Sequence, residues 1–360
     1  MKKYERVPYG TPGAKSYAVK SFFSQQTNYV PKIDYPISIR ENFMRAAKRQ
    51  NPYWVPNDGV DMDMYMLSQV TGCGEADFGA PNDHNFTDWF GCEWRFVRSA
   101  GGPMLDPNTP PVVDDITEWE KQVTFPNLGD YDIAGLCGEI MKTHDPEKLI
   151  HVDILAGCTE RLVALLGGYT ESMLAMAVEP EAVKDFLEAF VDFEIHFHDT
   201  LLKYLPVDMI TYHDDWGTER DTFFSPQMME DIVLEPTKRL FDYYHSRNTV
   251  VQLHSCGKIE RFLPYMVEMG ADFGQFQARA NDLPRYKREW GDKIGFNMSA
   301  MSPSDKPEDI KAAVHEIIDT YGKGGGLHGG AYGPGPAATW DAAYEWYCYS
   351  SEKYDEERGE

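Results

Sequence analysis

From about residue 150 onward the apolar residues come in short runs, separated by longer stretches in which they recur at helical spacing. The runs are "IHVDILAG" (150–157), "DMITYHDDWG" (208–217), "TVVQLHSCG" (249–257), "FGQFQAR" (273–279), "KIGFNMSA" (293–300) and "GGGLHGGAYG" (324–333). This alternation predicts a βαβα chain, because buried parallel strands read as brief apolar runs and the helices covering them carry one apolar stripe. The intervening segments support it. "EPEAVKDFLEAFVDFEIHFHDTLLKYL" places Val183, Phe186, Leu187, Phe190, Phe193 and Phe197 on one stripe. "SPQMMEDIVLEPTKRLFDYYHSR" opens with Ser225 as N-cap and Pro226 in the first helical position, and Pro236 inside it predicts a kink. "SDKPEDIKAAVHEIIDTYG" has acids in its first turn and Gly322 at its end.

The N-terminal third is less regular. "SIRENFMRAAKRQ" (38–50) reads as a helix capped by Ser38, with Phe43, Ala46 and Ala47 on one face and Pro52 ending it. Residues 1–36 read as an extended arm that packs on the body or on a second copy of the chain, with a homodimer as one candidate assembly. Residues 51–135, dominated by Pro, Gly, Asp and aromatics, read as loop-rich, substrate-facing structure. Domain organisation follows: an arm over 1–36 and one large domain over 37–355.

Repeated strand-helix units predict an α/β fold with a parallel sheet and a ligand site at the carboxyl ends of its strands. Polar residues collect at those ends: Asp214, Asp215 and Trp216; His254 and Cys256; Gln277 and Arg279; Asn297 and Ser299; His328. Five strand ends converging on one face favour a closed (β/α)8 TIM barrel. An open sheet would be expected to carry a glycine-rich phosphate loop, and no G-x-G-x-x-G or G-x-x-x-x-G-K-[ST] pattern occurs.

The chain has 360 residues, 42% hydrophobic, enough for one large core, and its net charge of −24 argues against nucleic-acid or anionic-membrane partners. No apolar run is long enough to span a bilayer, and no apolar signal segment follows Lys2 and Lys3, so a cytoplasmic location is expected. Cys73, Cys92, Cys137, Cys158, Cys256 and Cys348 are scattered without a disulfide pattern, which suits reduced thiols. One pair stands out. His254 and Cys256 leave a strand end two residues apart, and imidazole with thiolate is an ordinary zinc ligand set; the bland alternative is a buried cysteine beside a hydrogen-bonded histidine.

The wider stretch around that pair, "DMITYHDDWGTERDTFFSPQMMEDIVLEPTKRLFDYYHSRNTVVQLHSCGKIERFLPYMVEMGADFGQFQARANDLPRYKREWGDKIGFN", resembles the uroporphyrinogen decarboxylase superfamily. A D-x-W strand, an S-P helix start and a G-D-K after a helix recur there in this order. The resemblance spans residues 38–350, and the H-x-C-G element at His254 to Gly257 points to the cobamide-dependent methyltransferases. These include the methylcobamide:coenzyme M enzymes and those that demethylate methyl ethers and feed a corrinoid protein. The resemblance implies a (β/α)8 barrel, zinc at its C-terminal mouth, and a corrinoid carried by a partner protein.

Two departures shape the expectation. The decarboxylase's arginine-rich R-Q-A-G-R element, which holds substrate carboxylates, is replaced by the acidic "NDGVDMDMYML", although "FTDWFGCEW" keeps Asp88 where that enzyme has its F-S-D-I-L aspartate. The G-C-G loop cysteine of thiol-methylating relatives is absent from "GGGLHGGAYGPGPAAT". The third metal ligand is then sought among Glu219, Asp215, His328 and Cys348, with Glu219 preferred because it follows the "HDDWG" strand end. A carboxylate in place of a thiolate leaves a harder metal, suited to polarising an ether, alcohol or amine leaving group while cobalt(I) takes the methyl group.

The expected site is therefore metal at His254, Cys256 and Glu219; acid-base groups at Asp88, Asp214 and Asp215; and substrate contacts at Trp89, Trp94, Trp216, Gln277, Asn297 and His328. His213 reads as packing. The leading expectation is a zinc-dependent transfer of a methyl group from a small donor, such as an aromatic methyl ether, to a corrinoid protein. A lyase acting on a carboxylated substrate and a metal-free binding subunit remain as alternatives.

Overall fold

A computed structural model describes residues 6–20, 27–66, 77–106 and 108–359. Cys73 and parts of the arm lie outside these segments. In chain order the strands are β1 (Ser16–Lys20), β2 (Thr27–Pro31), β3 (Met62–Met66), β4 (His84–Thr87), β5 (Glu93–Val97), β6 (Gly102–Leu105), β7 (Leu149–Ile154), β8 (Met209–His213), β9 (Val250–Ser255), β10 (Phe273–Phe276), β11 (Gly295–Met301) and β12 (Leu327–Tyr332). Seven form one parallel sheet in the order β12-β11-β10-β9-β8-β7-β3. A parallel bridge between Asn57 and Gly329 joins its last strand to the segment just ahead of β3. The sheet thus curls into a TIM-barrel-like ring, with the short Asn57 segment in the eighth position.

The six strands expected after residue 148 all form within a few residues of their apolar runs. Alternation decides what each strand offers. Ile150, Val152 and Ile154 on β7, Ile210 and Tyr212 on β8, and Val251 and Leu253 on β9 are buried in the main apolar cluster with Leu162, Phe186 and Phe241 from the covering helices. The alternate residues, His151 and Asp153, Thr211 and His213, Gln252 and His254, face the barrel interior.

Helix ends follow their local chemistry. Ser38 accepts from Glu41 N at 3.2 Å and Ser225 from Met228 N at 3.1 Å, each satisfying an otherwise orphaned first-turn donor. The kink expected at Pro236 falls where the helix changes pitch. A π-helical turn, Met229–Val233, runs without interruption into the helical segment Leu234–Ser246, so the hydrogen-bond ladder changes pitch just ahead of Pro236, which has no N–H to offer it.

Residues 51–135 hold more regular structure than their composition suggests. β3 is a barrel strand paired with β7, and β4, β5 and β6 form a separate antiparallel sheet. The arm pairs β1 with β2 and packs on the chain's own barrel: Tyr17 and Val30 cluster with Val60 and Ala343, Tyr35 stacks on Trp54 at 4.0 Å, and Trp340 Nε1 donates to Val7 O at 2.7 Å. Among the described residues, no helix is long and apolar enough to cross a membrane.

Candidate active site

β8 and β9 run side by side with His213 opposite His254, so the residues that follow them emerge together at the carboxyl end of the barrel. Asp215, His254 and Cys256 place one ligand atom each within 4.8 Å of one another. His254 Nε2 is 3.4 Å from Cys256 Sγ and 3.5 Å from Asp215 Oδ1, and Cys256 N donates to that oxygen at 2.7 Å. The other imidazole nitrogen is fixed: His254 Nδ1 donates to Gln275 Oε1 at 2.8 Å, which leaves the Nε2 lone pair aimed at the cluster.

The loop geometry depends on a close approach of two glycines. Gly257 has φ +77°, and a Cβ there would lie 2.1 Å from the Gly217 carbonyl. With hydrogen at that position the β8 and β9 loops touch, bringing Asp215 beside Cys256. Gln277 Oε1 accepts from Gly257 N at 3.1 Å and holds the turn from the β10 side.

Burial, helped by the neighbouring His213, pushes His254 down to about 4, so its imidazole is neutral near pH 7. Burial, and then Asp215, pushes the Cys256 thiol up to about 12. Glu160 is held well above the carboxylate range, first by burial and then by Asp215 and Asp214. Burial also opposes ionisation of Asp153, yet His151 and His213 hold it below its ordinary value.

Over this cluster opens a cavity of about 610 Å³. Its apolar wall includes Trp89, Phe90, Trp94, Phe193 and Phe197, with Trp89 edge-on to Phe193 and Phe197 at 5.3 Å. Asp88 organises that wall. It accepts from Phe90 N, Cys92 N and Trp94 Nε1 at 2.9 to 3.0 Å and pairs with Arg161 at 2.5 Å. With four donors around it, Asp88 holds the loop in place and has little capacity left to act as a base.

Several expected site residues stand elsewhere. Glu219, preferred as third ligand, pairs with Arg279 at 2.6 Å on the exposed surface; the Gly217–Thr222 bridge turns the loop back, and Asp215 takes the place beside His254 and Cys256. Asp214, expected as an acid-base group, is wholly buried and accepts from Thr159 N, Thr159 Oγ1 and Glu160 N, capping the helix Cys158–Leu166. Trp216, expected against substrate, is buried edge-on to Phe262 and off the cavity wall. Asn297 and His328 act behind the site: Asn297 Oδ1 accepts from Gln275 Nε2 at 3.1 Å and its Nδ2 donates to Asp58 at 2.8 Å, while His328 reaches Asp58 at 2.7 Å and Gln252 at 2.6 Å. Trp89 and Trp94 line the cavity.

The profile of the uroporphyrinogen decarboxylase family matches residues 87–333, more than half of the chain. This chain belongs to the uroporphyrinogen decarboxylase family. Among solved structures, a methyltransferase from Methanosarcina mazei superposes with a TM-score of 0.61 at 15% identity, over 88% of this chain and 99% of its own; at that identity the likeness speaks for the fold. An L-ribulose 3-epimerase reaches a TM-score of only 0.38 at 11% identity, over 65% of this chain and 84% of its own. No protein with a curated description matches the sequence.

Within this family member, the cavity residues that sequence reasoning missed include His151, Asp153, His213, Glu160 and Gln275. His213 was expected to be packing, yet its ring lies 4.6 Å from that of His254 and its Nε2 is 3.3 Å from Asp153. The signal was present in the strands. On β7 and β8 the polar residues His151, Asp153, Thr211 and His213 fall at every second position, which marks one shared face.

Proposed function

We propose that this chain is a zinc-dependent methyltransferase that moves a methyl group from a small methylated donor, an aromatic methyl ether in our reading, to the cobalt of a corrinoid carried by a partner protein. The observation that carries the proposal is the Asp215–His254–Cys256 cluster on the wall of an aromatic cavity. The donor set fits zinc. One carboxylate, one neutral imidazole and one thiol converge from two adjacent loops, the imidazole is oriented by Gln275, and three protein ligands leave a fourth position for a substrate atom. Zinc bound there would supply Lewis acidity to a heteroatom leaving group.

The chain's own residues set the remaining conditions. Trp89, Phe193 and Phe197 give a ring a flat apolar seat and keep water from it. Gln275, backed by Asn297 and Asp58, keeps His254 in one tautomer. Glu160 lines the cavity, its carboxyl held above the ordinary range by burial and by Asp215. Five described cysteines are unpaired thiols, which suits a reducing, cytoplasmic setting.

Decarboxylation of a polycarboxylate is disfavoured by a specific observation. Arg161 is the one Arg or Lys among the described cavity-lining residues, and Asp88 already neutralises it. The reading is tested by incubating zinc-loaded protein with cob(I)alamin and a panel of methoxylated aromatics while following the cobalamin spectrum. Conversion to methylcob(III)alamin that requires zinc and fails in Cys256→Ser supports it; zinc-loaded protein inactive with the whole panel counts against it.

A further inference from the structure

A row of polar side chains crosses the barrel wall at the level of His254. The register sets His254 of β9 beside Gln275 of β10 and Asn297 of β11 beside His328 of β12, and the pairing of Gly274 with Phe296 puts Gln275 next to Asn297. The Asn57–Gly329 bridge brings Asp58 to the end of the row. From His254 the bonds run in one line: Nδ1 to Gln275 Oε1 at 2.8 Å, Gln275 Nε2 to Asn297 Oδ1 at 3.1 Å, and Asn297 Nδ2 to Asp58 Oδ2 at 2.8 Å. His328 Nδ1 meets the other carboxylate oxygen at 2.7 Å.

Such a row has a direction. A primary amide accepts at its oxygen and donates at its NH2, so two amides in series face the same way, and the pair satisfies itself equally well when both are turned round. Asp58 removes that freedom, because a carboxylate only accepts. Asn297 must turn its NH2 to Asp58 and its oxygen to Gln275, and Gln275 must then turn its oxygen to His254. The imidazole proton is thereby held on Nδ1. Reversed amides would present an NH2 to Nδ1 and put the proton on Nε2.

A second carboxylate pulls the other way. Asp215 Oδ1 lies 3.5 Å from His254 Nε2, and in the metal-free protein a proton on Nε2 would point at it. That tautomer cannot ligate through Nε2, since a protonated ring nitrogen of a neutral imidazole has no lone pair to give.

We infer that Asp58, three hydrogen bonds away from His254, is a positioning residue that sets the His254 tautomer against the local pull of Asp215 and so keeps the site open to a metal. The consequence for the metal rests on the reading of His254 as a ligand; the tautomer does not.

The test reads the tautomer directly. Metal-free protein with isotope-labelled histidine nitrogens is measured at neutral pH by long-range proton–nitrogen correlation, which separates an Nδ1–H from an Nε2–H imidazole, and His254→Ala identifies the resonance. The natural protein is expected to show the Nδ1–H form. Asp58→Asn keeps the shape but both accepts and donates, so the row loses its fixed direction, Asp215 draws the proton, and Nε2–H should become the major form. Zinc affinity, by chelator competition, should fall about tenfold as the ligating form drops to about a tenth of the population. Adding Asn297→Asp to Asp58→Asn moves the acceptor one place along the row, next to Gln275 Nε2, and should restore the Nδ1–H form and most of the affinity. Lost packing at residue 58 would not be repaired in this way.

An Asp58→Asn protein that keeps the Nδ1–H form, or a double variant that stays in the Nε2–H form, overturns the inference. Should Asp58→Asn not fold, Asn297→Leu cuts the same row and carries the same expectation. A tautomer that switches while zinc affinity holds overturns the link to the metal. Tautomers that follow the expected order in a protein that never takes up zinc contradict the metal-site reading and leave the role of Asp58 in place.

Discussion

At the residue scale, the site rests on a few atoms with defined partners. His254 reaches its neighbours through Nε2 because Gln275 occupies Nδ1. Gln275→Leu should weaken zinc affinity by about 10- to 100-fold, measured by competition with a chelator. The same assay has a pH dependence whose sign is fixed. The metal-free Cys256 thiol, pushed up to about 12, stays protonated at all ordinary pH, whereas His254, pushed down to about 4, is already neutral. Zinc must therefore expel one proton from Cys256, and apparent affinity should rise about tenfold per pH unit between about pH 6 and 8. Asp214 belongs to stability: Asp214→Ala, removing an acceptor for three donors, two of them buried, should cost about 2 kcal/mol in urea unfolding. His254 and Cys256 were legible because ligand-type residues two apart at a strand end are a local pattern. The choice of Asp215 over Glu219 was not, since it turns on the Gly217–Thr222 bridge that sends Glu219 toward Arg279.

At the element scale, the loops after β8 and β9 act as a unit. Gly257→Ala would force its Cβ into the Gly217 carbonyl at a left-handed φ. It should cost about 1–3 kcal/mol of stability and lower zinc affinity together, read by thermal unfolding and chelator competition on one preparation. If only stability falls, the two loops do not jointly set the ligand geometry. The strands legible in the sequence were those whose short apolar-rich stretches alternate with segments of helical spacing. β3 escaped because "MDMYM" alternates methionine with polar residues beside an acidic stretch, and its place in the barrel comes from pairing with β7. The β4–β6 sheet escaped for a related reason: its strands are four or five residues long and half-buried, and their aromatics serve the cavity wall as much as a core.

At the scale of the whole molecule, the barrel was legible from the alternation of strands and helices, because outward-facing strand residues pack in the apolar cluster under the helices. The polar interior was not, since it appears only when strands are set in register and His151, Thr211, Gln252 and His328 meet across it. A metal that binds only the folded barrel stabilises all of it. Zinc at about a thousand times its dissociation constant should add about 4 kcal/mol of stability, seen as a rise in thermal midpoint that is absent in Cys256→Ser.

The central claim, that the β8 and β9 strand ends hold a metal, is tested most directly by elemental analysis of the purified protein beside His254→Ala, Cys256→Ser, Asp215→Ala and Glu219→Ala. The account predicts about one zinc per chain in the natural protein and in Glu219→Ala, and its loss in the other three. A chain that holds no zinc even after loading, or one that loses it with Glu219 and keeps it without Asp215, would contradict the account.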